Sequence, residues 1–217
     1  FLTGDITMGG TGTLTWREGD RILAFGHPMM GLGEVELPMC EAEIITTVPS
    51  YQRPFKMANM RRVAGTVLED RLSAIAGRVG AKPELPPYRV RVDFEGRGPV
   101  EYRGNFVAHE ELAPSALASL LVDAVLGSEH VGEELTVSVS GEMRVRGAPA
   151  VRLDGFSSGD SGAVLDLSMD LRNRLRRVFG QPFERVRPEG LDLEVKVGQR
   201  RGEARIDKAA RGAETHL

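Results

Sequence analysis

The sequence is poor in cysteine, in aromatic side chains and in long apolar runs, and it has no excess of basic charge. Cys40 is the only cysteine among 217 residues, so no internal disulfide can form. Its setting, "PMCEAEI", reads as a small apolar residue entering a strand. Aromatic residues make up 6% of the chain, so aliphatic side chains must fill most of any core. No apolar run approaches the roughly 18–20 residues that a membrane-crossing helix needs. The 28 Lys and Arg residues stand against 31 Asp and Glu, for a net charge of −3. That balance lacks the electrostatic footprint of a nucleic-acid binder. His27, His109, His130 and His216 lie far apart, and no H-x-x-x-H or C-x-x-C spacing occurs, so no local motif points to a metal. Neither an initiator Met nor a signal-peptide pattern opens the chain. It starts in strand-like alternation, "FLTGDITMGGTGTLT", as a fragment or processed product does.

What is present suits one domain or two small ones with a real core: 41% of residues are hydrophobic. Residues 1–80 read as β-rich. Threonines alternate through "DITMGGTGTLTW", with Gly9, Gly10 and Gly12 marking bulges or turns. "REGD" is a hairpin turn with Gly19-Asp20 at its tip, and "RILAF" is a buried strand. "EVELPM" and "EAEIITTV" alternate as two half-buried strands. "PSYQRPFKMANMRR" reads as a loop, and "VAGTVLEDRLSAIAGRVG" as two strands around an "EDR" turn. Three prolines in "AKPELPPY" mark a boundary. Residues 84–207 follow a ββα-ββα-ββ order, with helices over "APSALASLLVDAVLG" and "DSGAVLDLSMDLRNRLRRVFG" and a closing hairpin. Residues 208–217 read as a flexible tail. The expected fold is mainly β with two helices, of the α+β class.

Four groups of residues carry possible chemistry. "GDSG" places Ser161 where a chymotrypsin-like nucleophile sits, but Val164, Leu167, Leu171, Leu175 and Val178 follow at helical spacing. Asp160, or Ser158 before it, then reads as a helix cap. The arginines of "RNRLRR" fall on the polar face of that helix, as a solvated face, an interface or an anion site. Glu34 with Glu36, Glu41 with Glu43, and Glu69 with Asp70 read as solvated strand faces or a turn, and as paired carboxylates only if they converge on a cleft. His109 and His130 read as solvated loop residues beside acids. Finally, "AFGHPMMGLG" holds His27 between Gly26 and Pro28, ahead of a pliable methionine-rich bend. His27 is either a turn residue or a base at an exposed strand end.

In their order, Gly12 to Thr15, then Gly26-His27, then Gly65-Thr66 through Ala74-Ile75-Ala76-Gly77, these segments resemble the SpoIVB-type serine peptidases of bacteria. The resemblance covers roughly residues 3–80 and is nearest to the large SpoIVB-like domain proteins. It implies a chymotrypsin-like β-barrel over residues 1–80, while the ββα-ββα-ββ order of residues 84–207 by itself suggests an antiparallel sheet with helices on one face. It makes His27 the general base of a peptidase and implies a secreted or periplasmic location. The family nucleophile, the serine of a G-M-S-G-S-P motif, has no counterpart in these 217 residues. The resemblance therefore implies a serine supplied by an upstream segment of the same precursor. The partner is that segment or a polypeptide substrate, and no cofactor is required. Ser161 is the alternative nucleophile. A non-catalytic binding module on a degenerate peptidase fold is the alternative function.

Overall fold

The structure, a computed structural model, describes residues 1–52, 54–127 and 134–198. His130, His216, the second strand of the expected closing hairpin and the tail 208–217 lie outside the described residues. Two sheets and two helices make up the fold, in the order β1 (Leu2–Gly4), β2 (Leu14–Glu18), β3 (Arg21–Ala24), β4 (Gly33–Val48), β5 (Phe55–Asp70), β6 (Ile75–Val79), β7 (Pro87–Phe94), β8 (Gly98–Phe106), α1 (Ala113–Leu126), β9 (Leu135–Val145), β10 (Ala148–Arg152), β11 (Gly155–Gly159), α2 (Gly162–Phe179) and β12 (Pro188–Gly198). The α+β class follows directly from this order.

The first sheet is antiparallel, in the order β2-β3-β6-β5-β4. Gly19, with φ of +60°, takes the first central position of the β2–β3 turn, where glycine avoids the clash of a Cβ. Strand β4 runs unbroken for 16 residues, whereas two strands were expected. Pro38 lies inside it and is tolerated because β4 is an edge strand that pairs only with β5. The loop expected over residues 49–62 is shorter, because β5 already begins at Phe55. The expected "EDR" turn shifts as well: Glu69 and Asp70 end β5, and Arg71 donates its N–H to Ala74 across the turn at 3.0 Å. Among the described residues this sheet does not close into the expected barrel. Its edges β2 and β4 stay unpaired with each other, and the glycine-rich residues before β2 form an irregular strap rather than a closing strand.

The second sheet has the order β1-β8-β7-β12-β9-β10, with β11 continuing β10 along the same edge of β9. It is mixed, which corrects the expected antiparallel sheet. Strand β12 arrives last and inserts between the β7–β8 hairpin and β9, parallel to β7 and antiparallel to β9. Tyr88, Val90, Val92 and Phe94 alternate onto one face, and Leu191, Leu193, Val195 and Val197 match them in register. That face packs under α1 and α2, both on the same side, through Leu117, Leu121, Leu167 and Leu175. On the other face Arg89 opposes Asp192, Arg91 opposes Glu194 and Asp93 opposes Lys196. A one-residue slip would bury these charges, so alternation and charge together set the register. The short β1 pairs with β8, so the first strand of the chain belongs to the second sheet.

The two sheets keep separate cores. The first holds Ile22, Ala24, Val35, Leu37, Val67 and Ile75, capped by Val107 and Leu112 from the approach to α1. On α2, Arg174 pairs with Asp170 at 2.8 Å and donates to the Asp154 carbonyl at 2.7 Å, while Arg172 donates to Ser115 on α1 at 3.1 Å. Those two arginines of "RNRLRR" tie the helix to its neighbours. Arg176 and Arg177 occupy its last turn, where positive charge opposes the helix dipole.

Candidate active site

Strand β3 ends in two consecutive left-handed residues, Phe25 at φ +73° and Gly26 at φ +72°. Glycine takes this conformation freely, but for phenylalanine it costs of the order of 1 kcal/mol or more. Two contacts hold Phe25 there. Its N–H donates to the Thr13 carbonyl at 2.9 Å, and its ring lies so close to Gly12 that a Cβ on Gly12 would fall 1.9 Å from it. The double left-handed step throws the chain outward and leaves His27 exposed at the tip. The His27 ring tilts 50° against the Phe25 ring, with centroids 5.7 Å apart.

Nδ1 of His27 lies 2.7 Å from the carbonyl oxygen of Pro28. A carbonyl only accepts, so Nδ1 carries the proton and donates. The neutral ring then keeps its lone pair on Nε2, the tautomer that a general base or a ligand requires.

The bend that follows is built around Asp70. This carboxylate is 1% exposed, and it accepts backbone N–H groups from Met29 (2.7 Å), Met30 (2.8 Å), Gly31 (2.8 Å) and Leu32 (3.3 Å). Burial pushes its pKa up, but the four N–H donors outweigh burial and hold it below the usual aspartate value. Asp70 departs from the expectation of a solvated turn residue. The other acids stay exposed: Glu41 is clasped by Arg62 at 2.6 and 3.0 Å, Glu69 pairs with Arg71 at 3.1 Å, and Glu36 accepts the Glu84 N–H at 2.6 Å. Glu34 is exposed on the same strand, and Glu43 pairs with Arg61.

Phe25 and Met29, on either side of His27, line a groove of about 500 Å³ against the first sheet. Leu37, Met39, Met60 and Val67 make its floor and walls mostly apolar. The strap of Gly9, Gly10, Thr11 and Gly12 crosses it, and a Cβ on Gly9 would stand 3.0 Å from the Met60 methyl. Tyr88 anchors the strap: its hydroxyl donates to the Ile6 carbonyl at 3.1 Å and accepts the Ile6 N–H at 3.3 Å. Cys40 also lines the groove, and burial pushes its thiol up, away from the reactive thiolate.

Ser161 stands apart from this loop. It is exposed at the start of α2 on the second sheet and makes no side-chain cap. Asp160 caps the helix instead, accepting the Gly162 N–H at 2.7 Å. Ser158 is engaged with the Thr136 hydroxyl at 2.9 Å on the neighbouring strand. His109 is half-buried before α1, where its Nδ1 accepts the Glu111 N–H at 3.2 Å. Burial lowers its pKa, and Arg185 adds to that effect against Glu110 and Glu111. Among the described residues, no three His, Cys, Asp or Glu side chains converge in a way that would hold a metal ion. Sequence reasoning missed Phe25 and Tyr88, and it read Asp70 as a solvated turn residue. Only the Gly-His-Pro bend itself signalled the loop they support. Compared with models of protein families, with curated proteins and with solved structures, the chain matches none.

Proposed function

We propose that this chain is the histidine-bearing part of a SpoIVB-like serine endopeptidase acting on polypeptides of the bacterial periplasm or exterior. In that reading the first sheet is the histidine-bearing part of a chymotrypsin-like barrel. The observation that carries the reading is the 2.7 Å contact of His27 Nδ1 with the Pro28 carbonyl, which suits a protonated Nδ1 and a basic Nε2, on an exposed loop whose Phe25 and Met29 line the groove. Nε2 would take the proton of a serine hydroxyl as its oxygen attacks the peptide carbonyl, then deliver it to the leaving amine. The serine comes from a G-M-S-G-S-P segment of the same precursor, upstream of these residues. The N–H groups of residues 29–32 are committed to Asp70, so they are not free to stabilise an oxyanion. In this reading the donors for that charge come with the serine segment.

The test uses the product of the complete reading frame and a serine-directed fluorophosphonate probe. Labelling is expected, with loss of labelling and of peptide hydrolysis in His27→Ala and no loss in Ser161→Ala. Full activity in His27→Ala overturns the mechanism. One observation favours a second reading, a peptide-binding module on a degenerate peptidase fold: Nδ1 rests on a backbone carbonyl and not on a carboxylate. In that case the probe labels nothing, and peptide binding at the groove persists in His27→Ala.

A further inference from the structure

Strand β6 pairs with β5 only between Gly65 and Asp70, so from Val63 outward the β4–β5 hairpin is a two-stranded ribbon. From Glu43 to Val48 it extends roughly 17 Å at about 3.3 Å per residue. Its base and its end differ in chemistry. At the base, Glu41 and Arg62 form a two-point ion pair and Glu43 meets Arg61, making a charged collar. Beyond the collar, residues 44–60, "IITTVPSYQRPFKMANM", carry two basic residues and no acidic one. Tyr51 at the turn is fully exposed, and Phe55, Ile45, Met57 and Ile44 keep between 48% and 57% of their surface in water.

The apolar side chains are not confined to one face. Cross-strand partners share a face, so Val48 with Phe55 and Thr46 with Met57 lie on one side. Ile44 with Ala58 and Ala42 with Met60 pair further down. The bulge between Ile44 and Thr46 puts these two sets on opposite sides. At the end itself the apolar face of Val48, Phe55 and Met57 backs onto Thr47 and Lys56, and an apolar face beside a cationic one suits the boundary between acyl chains and anionic headgroups. We propose that the end of this ribbon (Val48, Tyr51, Phe55 and Met57, with Lys56 beside them) inserts into the interfacial layer of an anionic lipid bilayer. The unpaired backbone edges of a two-stranded ribbon stop it there, because hydrocarbon offers them no hydrogen bonds. Aromatic rings favour the headgroup level, and the acid-free basic end is drawn to anionic lipid. No helix of the described residues is long and apolar enough to cross a membrane.

Flotation with vesicles tests this, using phosphatidylcholine alone and phosphatidylcholine mixed with phosphatidylglycerol. The protein is expected to float with the anionic vesicles. Tyr51→Ser/Phe55→Ser should weaken binding by about tenfold or more. Lys56→Glu should weaken it by about fivefold. Tyr51→Trp should show a blue-shifted component with vesicles that the native protein, with only Trp16 in β2, does not show. Failure to float, or equal flotation of the double variant with its circular dichroism unchanged, overturns the proposal. Equal binding to both vesicle types overturns its charge argument. Dimerisation that the double variant abolishes, without lipid binding, overturns it in favour of a second copy.

Discussion

Asp70 offers the sharpest test of how the His27 loop is held. Asp70→Ala removes the acceptor of four N–H groups at once. Met30 and Gly31 are exposed and their N–H groups can turn to water, whereas Met29 and Leu32 are half-buried. Two poorly hydrated donors, each losing a bond to a charged group at roughly 1.5 kcal/mol, give a cost of about 3 kcal/mol. Asp70→Asn should cost less, about 1–2 kcal/mol. Its one oxygen can serve the three donors that Oδ2 now serves, and its amide then faces only the Met29 N–H. Urea unfolding read by tryptophan fluorescence suits the measurement, because the chain's single tryptophan, Trp16, lies in β2 of the sheet that Asp70 supports. The pH dependence has a definite sign. The folded carboxyl has a lowered pKa, so its contribution is complete above the unfolded value of about 3.9 and fades as pH falls through the lower folded value. The gap between native protein and Asp70→Asn should therefore stay flat from about pH 5 to 8 and close only below about pH 4. A cost under about 0.5 kcal/mol for Asp70→Ala, or a gap that changes between pH 5 and 8, refutes the reasoning.

Two other substitutions separate buried from exposed polar contacts. Tyr88 is 2% exposed, and Tyr88→Phe strips both backbone groups of Ile6 of their partner, so about 1–3 kcal/mol should be lost in chemical denaturation. Faster proteolysis within residues 5–13 should accompany that loss, since the strap loses its anchor. Asp192 lies between Arg144 and Arg89 with its pKa lowered, first by the hydrogen bond from Arg144, and both arginine side chains are more than 40% exposed. Asp192→Asn should cost no more than about 1 kcal/mol, and added salt should shrink the difference.

The second sheet was the more legible half, because burial writes a period into the sequence. Tyr88, Val90, Val92 and Phe94 alternate, and the stripe from Val164 to Val178 is helical; both readings rest on a face that must leave water. The outer half of β5 has no such face. Residues 55–62 are held by the ladder to β4 and stay mostly exposed, so no hydrophobic period marks them as strand and they read as loop. Strand β4 read as two segments because its apolar alternation changes phase at Cys40, where the ladder bulges between Met39 and Ala42. The insertion of β12 between two hairpins depends on charge pairs a hundred residues apart, and one of these, Arg89 with Asp192, joins at 2.9 Å. In the candidate site, His27 was legible from its Gly-His-Pro setting. Asp70 was not, since its partners are backbone N–H groups about forty residues away and any residue type can supply those. The left-handed φ of Phe25 was invisible for a related reason: the contact that enforces it is the missing side chain of Gly12.

The way His27 is held bears on what it can do. A catalytic histidine needs its ring oriented, its Nδ1 protonated and its positive charge offset once Nε2 has taken a proton. The Pro28 carbonyl supplies the first two, since it can only accept from Nδ1. It supplies only part of the third, because a carbonyl dipole stabilises an imidazolium less than a carboxylate does. Asp70, the buried acid of this loop, is directed at four N–H groups and fixes the bend rather than the ring. Orientation and charge compensation are thus divided between two groups, and the second is incomplete within the described residues. A serine segment that completes the site should therefore bring an acceptor for the imidazolium along with its nucleophile and oxyanion donors. If it does not, the proposed base would be correctly oriented but of low power, and the groove beside it would bind without turnover.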